Sequence, residues 1–359
     1  MKRRRNNLSR RALLAQLGLS PIWSARPFVN LAAAQARDAE IRETPLSSFQ
    51  KLLTPTDEFF VRNHFTAPHL TEDGRLRVAG RVRSPFEISY AQIARLESRT
   101  LTVTLECAGG GLGGVSTTTW EGVPLATLLK RAGLGPSTKY VRLVGADGGV
   151  EESQGVIPFA RSIPIEKALH PDTIVAFQMN GSPLPVEHGY PCRAIVPGWY
   201  GMDSVKWLAR IEALDHADTS YFMTQHYVGV RLANIGSDQH AVTAMRVKSL
   251  IVEPRSNDAV APGPVTVRGV AWAGESQIAQ VEVSTDAGIS WSLASLDKDI
   301  RPYTWVLWTY SWVPRTPGSY VIVARATDDR GNTQPPARDH LRIDTYELNW
   351  YHSVRCEVR

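Results

Sequence analysis

Cys107 closes the run LTVTLEC, and Gly109, Gly110 and Gly111 follow almost at once. A strand that ends on a thiol and then sheds its side chains lets the backbone come close to something large. No second cysteine stands at C-x-x-C spacing, so neither a dithiol redox pair nor a zinc cage is written here. A lone cysteine is most often a buried structural thiol, but a thiolate is also what a soft-ligand metal takes. A second set of residues carries positive charge. Arg62 and His64 lie in FFVRNHF, and His188, Arg193 and Lys206 in EHGYPCRAIVPGWYGMDSVKWL. A solvated face interleaves acids with its bases, whereas these runs frame the cations with aromatics and prolines. Singly, His188 or Lys206 reads as a structural or solvent-facing residue; together they read as rigidly placed donors for an anion, most naturally a phosphate. GGGLGG lacks the Lys-Ser/Thr of a phosphate loop, leaving close backbone approach to a ligand or a flexible loop.

The elements that must hold these residues follow from pattern. Residues 37 to about 75 read as irregular. From 76 to 215, short strands (LRVAGRV, LTVTLEC, YVRLVG, TIVAFQM) alternate with helical pieces (PLATLLKRAG, PIEKALH), which is an α+β pattern without a G-x-G-x-x-G unit. After about 245 only alternating strands and turns remain: GPVTVRGVAWAG, IAQVEVSTDAGISWSLASL, YTWVLWTYSWVP and GSYVIVARATDDRGNT. That is the signature of an all-β, immunoglobulin-like sandwich. The expected division is an α+β domain over 37–244, a linker near 240–249, the sandwich over 245–347 and a C-terminal tail over 348–359. The sandwich holds more tryptophans than one core needs, so some are expected to face the first domain or another subunit.

At 359 residues the chain is long enough for two cores, and 43% hydrophobic with 21% charged residues excludes a disordered chain. The net charge of +5 misleads, because residues 1–36 hold seven Lys/Arg and no acid. Without them the balance is 5 − 7 = −2, so no basic footprint for nucleic acid survives. The basic start itself reads as an address. SRRALLAQLGLS joins a twin arginine to a modest apolar run, and Ala34-Gln35-Ala36 is a small-x-small cleavage site. Residues 1–36 are thus expected to be a twin-arginine signal, and the protein periplasmic. The apolar run falls short of a membrane span, for which ~20 residues are needed. This route exports folded proteins, which suits one whose cofactor is inserted beforehand. Three cysteines leave at least one thiol unpaired, and a Cys192–Cys356 disulfide stays open.

From about residue 45 to 345 the sequence resembles the sulfite oxidase family of molybdenum enzymes. The likeness rests on FFVRNHF, LECAG, the long run from SIPIEKALHPDTIVAFQMNG to GMDSVKWL, and IAQVEVSTDAGISW. It implies one molybdopterin per chain, with a pyranopterin dithiolene on molybdenum and one cysteine completing the sulfur ligation. It also implies that the sandwich is a dimerisation domain. Cys107 is then the metal ligand. Arg62, Asn63 and His64 match the pterin-contacting segment, and Arg62 also matches the arginine of the anion pocket. His188, Arg193, Ser204 and Lys206 match positions that hold the pterin and its phosphate, and Glu151 aligns with an acidic pterin contact. Tyr227 matches the active-site tyrosine, and Trp120 is placed at the substrate pocket.

Two positions depart from the family pattern. Leu112 stands where sulfite oxidisers carry an arginine, and His226 replaces the acid that commonly precedes the tyrosine. A protonated His226 is one compensation for the missing cation. The resemblance implies a molybdenum oxidoreductase acting on a small anionic sulfur substrate, sulfite to sulfate. Electrons pass to a cytochrome c or a partner subunit, since no C-x-x-C-H haem motif is written here. A homodimer is expected. The alternatives are a sulfane dehydrogenase-like subunit, an oxidase of another oxyanion or organosulfur compound, or a non-catalytic binding protein. A reductase of the same cofactor class is set aside because the sandwich accompanies the oxidase branch.

Overall fold

The computed structural model describes residues 41–233 and 236–359, so the export signal expected over 1–36 lies outside it. Residues 75–214 build two sheets. In the first the order is Phe86–Ser89, Arg75–Gly80, Leu208–Leu214, Tyr140–Glu151, Gly155–Pro164. Arg75–Gly80 shows why such a segment is a strand: Leu76 and Val78 go into the core while Arg75 and Arg77 stay in water. It runs parallel to Leu208–Leu214, and the other pairings are antiparallel. The second sheet orders Arg99–Glu106, Val115–Pro124, Ile174–Met179 and Ser182–Pro183, with Arg193–Ile195 also paired to Ile174–Met179. The helix Leu125–Ala132 buries Leu125, Leu128, Leu129 and Ala132 along one face. It ends at Gly133, whose φ of 68° lets its N–H reach the carbonyls of Leu129 and Lys130. This is the α+β arrangement the sequence predicts.

Alternation along LTVTLEC predicts a strand with one wet face. Instead, Val103, Thr104, Leu105 and Glu106 are all buried. The sandwich covers the second face: Thr104 Oγ1 accepts from Trp305 N at 2.8 Å, and Thr104 N donates to the Tyr303 carbonyl at 2.8 Å. The last residues before Cys107 are therefore clamped from both sides.

Residues 248–358 form two facing sheets. One orders Lys248–Glu253, Val265–Trp272, Val306–Trp312, Ser295–Leu296. The other orders Ala259–Val260, His352–Val358, Gly318–Asp328, Ile278–Ser284, Ser292–Leu293. Trp308 and Trp312 fill the core between them. Trp272 and Trp305 pack instead with Phe49 and Tyr200 of the first region, as the tryptophan surplus predicts. The segment expected as a tail over 348–359 is corrected: His352–Val358 is an integral strand, paired with Gly318–Ala324. Its alternation is too short to read without its partner. No disulfide forms. Cys192 is buried in the first core and Cys356 in the sandwich core, and both are free. Among the described residues no helix is long and apolar enough to cross a membrane.

Candidate active site

Cys107 follows the clamped strand and caps its own loop, its N–H bonded to the Gly114 carbonyl at 2.8 Å and its carbonyl to Gly110 N at 3.0 Å. The glycines serve that closure. A Cβ on Gly110 would sit 2.9 Å from Cys107 Cβ, and one on Gly114 would sit 3.1 Å from Gly110 Cα. Gly110 is thus packed tightly on its own loop, Gly109 lies at ordinary contact distance from Thr345 and Tyr346, and Ala108 lines the cleft. Burial pushes the Cys107 thiol up, and hydrogen bonds from Gly109 N–H and from Arg62 pull it back down. Those donors are what a thiolate needs once a metal replaces the proton.

A cleft of about 700 Å³ of empty space opens beside this sulfur. Cys107, Arg62, Asn63, His64, His188, Arg193, Ser204, Lys206 and Tyr227 all line it, although they come from segments up to 165 residues apart (227 − 62). Val61 pairs by backbone with Arg42, at 2.9 and 3.1 Å, which fixes the entry to Arg62. Asn63 accepts from Lys206 Nζ, which also donates to the Glu187 carbonyl at 2.8 Å.

Arg193 is buried on the short strand Arg193–Ile195. Its guanidinium donates to the carbonyls of Ser204 at 2.7 Å, His188 at 3.0 Å and Ala194 at 3.4 Å. Among the described residues no carboxylate pairs with it, and burial lowers its pKa to about 9. His188, also buried, is driven down to about 3 by burial and then by Arg193 and Lys206. Its Nε2 lies 3.3 Å from the Thr56 carbonyl, which can only accept, so the neutral ring carries its proton there. Ser204 Oγ accepts from Val196 N at 3.0 Å.

Three sequence expectations are relocated. Glu151 is not on the cleft wall; its carboxylate takes His64 Nε2 at 2.6 Å and braces that ring. Trp120 is fully buried behind the site, its ring 5.0 Å from the Arg193 guanidinium carbon, and does not line the cleft. His226 does not supply a cation, because burial and then the neighbouring His64 lower its pKa. It stacks edge-on against Tyr227 at 4.4 Å between centroids.

Two functional residues escape the sequence reading. Asp147 lines the cleft, buried, with Oδ1 lacking any hydrogen-bond partner among the described residues. Burial lifts its pKa to about 7 against the pull of Lys206. Its only sequence signal is an acid at the end of an apolar strand, RLVGAD. Tyr346, on the segment that connects the sandwich strands Gly318–Asp328 and His352–Val358, accepts the Tyr227 N–H on its hydroxyl at 3.4 Å. Tyr227 itself is held at φ 58°, an unfavourable conformation for a tyrosine. The buried Arg161 steadies that segment: it donates to Asp203 Oδ1 at 2.7 Å, to the Val242 carbonyl at 3.0 Å and to the Phe222 carbonyl, and lies 5.6 Å from the Tyr227 ring. Burial raises the Tyr227 pKa, so its hydroxyl keeps its proton.

This donor set fits a pterin cofactor. A buried guanidinium without a counter-charge, with Lys206 and Ser204 beside it, suits a phosphate. The orphaned carboxyl oxygen of Asp147 suits the N–H donors of a heteroaromatic ring. The thiol of Cys107 suits the metal.

The comparisons agree. Residues 64–222 match the oxidoreductase molybdopterin binding domain, and residues 239–359 match the Mo-co oxidoreductase dimerisation domain. The chain is 32% identical over 348 residues to the mitochondrial sulfite oxidase of Drosophila melanogaster, covering 86% of this chain and 60% of that protein. It is 33% identical over 318 residues to the sulfite oxidase of Gallus gallus, covering 80% and 69%. It is also 31% identical over 366 residues to the NADH nitrate reductase of Solanum lycopersicum, covering 89% and 40%. An alignment that long must enter the sandwich, so the sandwich does not separate oxidases from reductases as the sequence reading held. The fold matches the crystal structure of the sulfane dehydrogenase SoxCD from Paracoccus pantotrophus, with a TM-score of 0.77, 26% identity and coverage of 97% and 92%. The chain therefore belongs to the sulfite oxidase family of molybdopterin-dependent oxidoreductases.

Proposed function

We propose that this chain oxidises a small sulfur-centred substrate, adding one oxygen from water and releasing two protons and two electrons. The electrons pass singly to an external acceptor of the cytochrome c class or to a partner subunit. For sulfite the product is sulfate. The observation that carries this reading is the single cleft that joins Cys107, Arg62 and Tyr227 with Arg193, Ser204 and Lys206. The twin-arginine run of residues 10–11 and the cleavage pattern at 34–36 support a periplasmic location, and the matched dimerisation domain supports a homodimer.

When bound, the cofactor supplies the two-electron redox chemistry. The chain supplies position and charge. Arg193, Lys206 and Ser204 would hold the cofactor's phosphate, and neutral His188 donates to Thr56 while adding no further positive charge. Phe59, Phe60 and Phe159 wall the cleft and keep water from its floor. Arg62 lines the cleft with Cys107, and its guanidinium, paired with Glu43, sets the charge that a substrate meets there. The Tyr227 hydroxyl, kept protonated by burial, offers a hydrogen bond where oxygen is transferred.

A sulfane dehydrogenase-like activity is the second reading, supported by the likeness to SoxCD over 97% of this chain. Reduction of cytochrome c by sulfite, thiosulfate and a sulfane donor, assayed in parallel, separates the two. Sulfite turnover supports the first, and response to the sulfane donor alone supports the second. Silence with every sulfur compound in molybdenum-loaded protein would overturn both.

A further inference from the structure

We propose that Glu43 is a specificity-determining residue which fills the anion seat of Arg62 and selects, at this same oxidising site, for a small organosulfur compound with an uncharged reacting sulfur. The proposal rests on the function proposed above and deepens it.

Glu43 Oε1 accepts from Arg62 Nη2 at 3.0 Å. Arg62 also lines the cleft that holds the Cys107 sulfur. The arginine thus faces the cleft while Glu43 pairs with its Nη2. An exposed ion pair alone carries little weight, typically ~0–1 kcal/mol. This one is built in.

The segment bearing Glu43 is tied down on both sides of the site. Arg42 exchanges backbone hydrogen bonds with Val61, next to Arg62. Thr44 N donates to the Gly113 carbonyl at 2.8 Å, in the loop after Cys107, and Thr44 Oγ1 lies 2.5 Å from Ser116 Oγ. Gly113 completes the seat. A Cβ there would come within 2.6 Å of Glu43 Cβ and 2.9 Å of Oε2, so the glycine is what admits the glutamate. Between Gly111 and Gly113, both against Glu43, the loop exposes Leu112, an apolar side chain.

The charge of Arg62 is therefore met where it faces this loop. Arg62 is paired with Glu43, and Leu112, between the two glycines that pack on Glu43, adds no charge. A dianion binding to Arg62 must displace a carboxylate of its own sign, whereas a thioether meets no such repulsion.

The test uses molybdenum-loaded wild type and Glu43→Gln, with sulfate as the dianionic probe. Sulfate binding to the oxidised enzyme is followed by calorimetry. Turnover of sulfite and of dimethyl sulfide is followed by ferricyanide reduction. Each thioether and one water give a sulfoxide, two protons and two electrons, and so reduce two ferricyanides. The expected result is that wild type prefers dimethyl sulfide to sulfite in kcat/KM. Glu43→Gln then tightens sulfate binding and raises kcat/KM for sulfite, each by about tenfold, the effect of one removed like charge. Turnover of dimethyl sulfide stays within about twofold. Unchanged sulfate affinity in Glu43→Gln, or a wild type that prefers sulfite, would overturn the role of Glu43. If neither variant oxidises any sulfur compound, the functional reading fails, and the sulfate titration still decides whether Glu43 guards Arg62.

Discussion

Glu106, the residue before the candidate metal ligand, receives Lys248 Nζ from the first sandwich strand at 2.9 Å. Both are buried, and Trp272 Nε1 donates to the other oxygen of the same carboxylate at 2.8 Å. The sandwich is thereby fastened to the strand that presents Cys107. Its role in the site is positional, apart from any role in dimerisation.

Breaking half of this buried pair strands a charge. Lys248→Met is expected to lower stability by about 3–5 kcal/mol, because Glu106 keeps its charge without its cation. Adding Glu106→Gln removes that charge while keeping an acceptor for Trp272, so the double variant should recover most of the loss. Urea unfolding of the two single variants and the double variant measures the coupling.

Arg193 has no carboxylate partner among the described residues, but it serves the buried carbonyls of Ser204, His188 and Ala194. Arg193→Met should therefore cost cofactor-free protein about 1–3 kcal/mol, the effect of those acceptors losing their donor. Pterin retained after gel filtration should fall at least tenfold, since a charge-assisted hydrogen bond contributes about 1.5–3 kcal/mol. Fluorescence of the released, oxidised pterin gives the ratio.

Asp147 carries a signed pH dependence in cofactor-free protein. Its folded pKa, about 7, lies above the ordinary 3.8, so the folded chain binds the extra proton between those values. Stability from this group is therefore full below about pH 4 and is lost as pH rises toward 7. His188, lowered to about 3, acts in the opposite direction over an overlapping range. The difference between Asp147→Asn and wild type isolates the aspartate. The variant should gain relative stability from pH 4 to 7, up to roughly 4 kcal/mol at 1.36 kcal/mol per unit, and no more above that. Thermal unfolding from pH 4 to 8 reads it.

Much of this was legible before folding. Leu76 and Val78 alternate with arginines, Leu125, Leu128 and Leu129 recur at helical spacing, and the cations of EHGYPCRAIVPGWYGMDSVKWL share one cleft. What was not legible depends on contacts between distant segments. The acid of the cleft is Asp147 rather than Glu151, because the strand is irregular between Val144 and Gly148, while Glu151 at the hairpin end meets His64. Tyr346 reaches Tyr227 across 119 residues, and no local pattern announces that. The charge state of His226 depends on burial and on His64, neither of which is local.

Tyr227→Phe keeps the ring against His226 and removes only the hydroxyl. Molybdenum content should match wild type while turnover falls about a hundredfold, the lower range for loss of a positioned proton donor. Parallel metal analysis and steady-state rates check it.

The central claim is that the Cys107 sulfur binds molybdenum in this cleft. X-ray absorption at the molybdenum edge, on wild type and Cys107→Ser, tests it most directly. The expected result is one sulfur neighbour fewer around the metal in the serine variant. An identical sulfur shell in both proteins, or wild type devoid of molybdenum when made with ample molybdate, would contradict it.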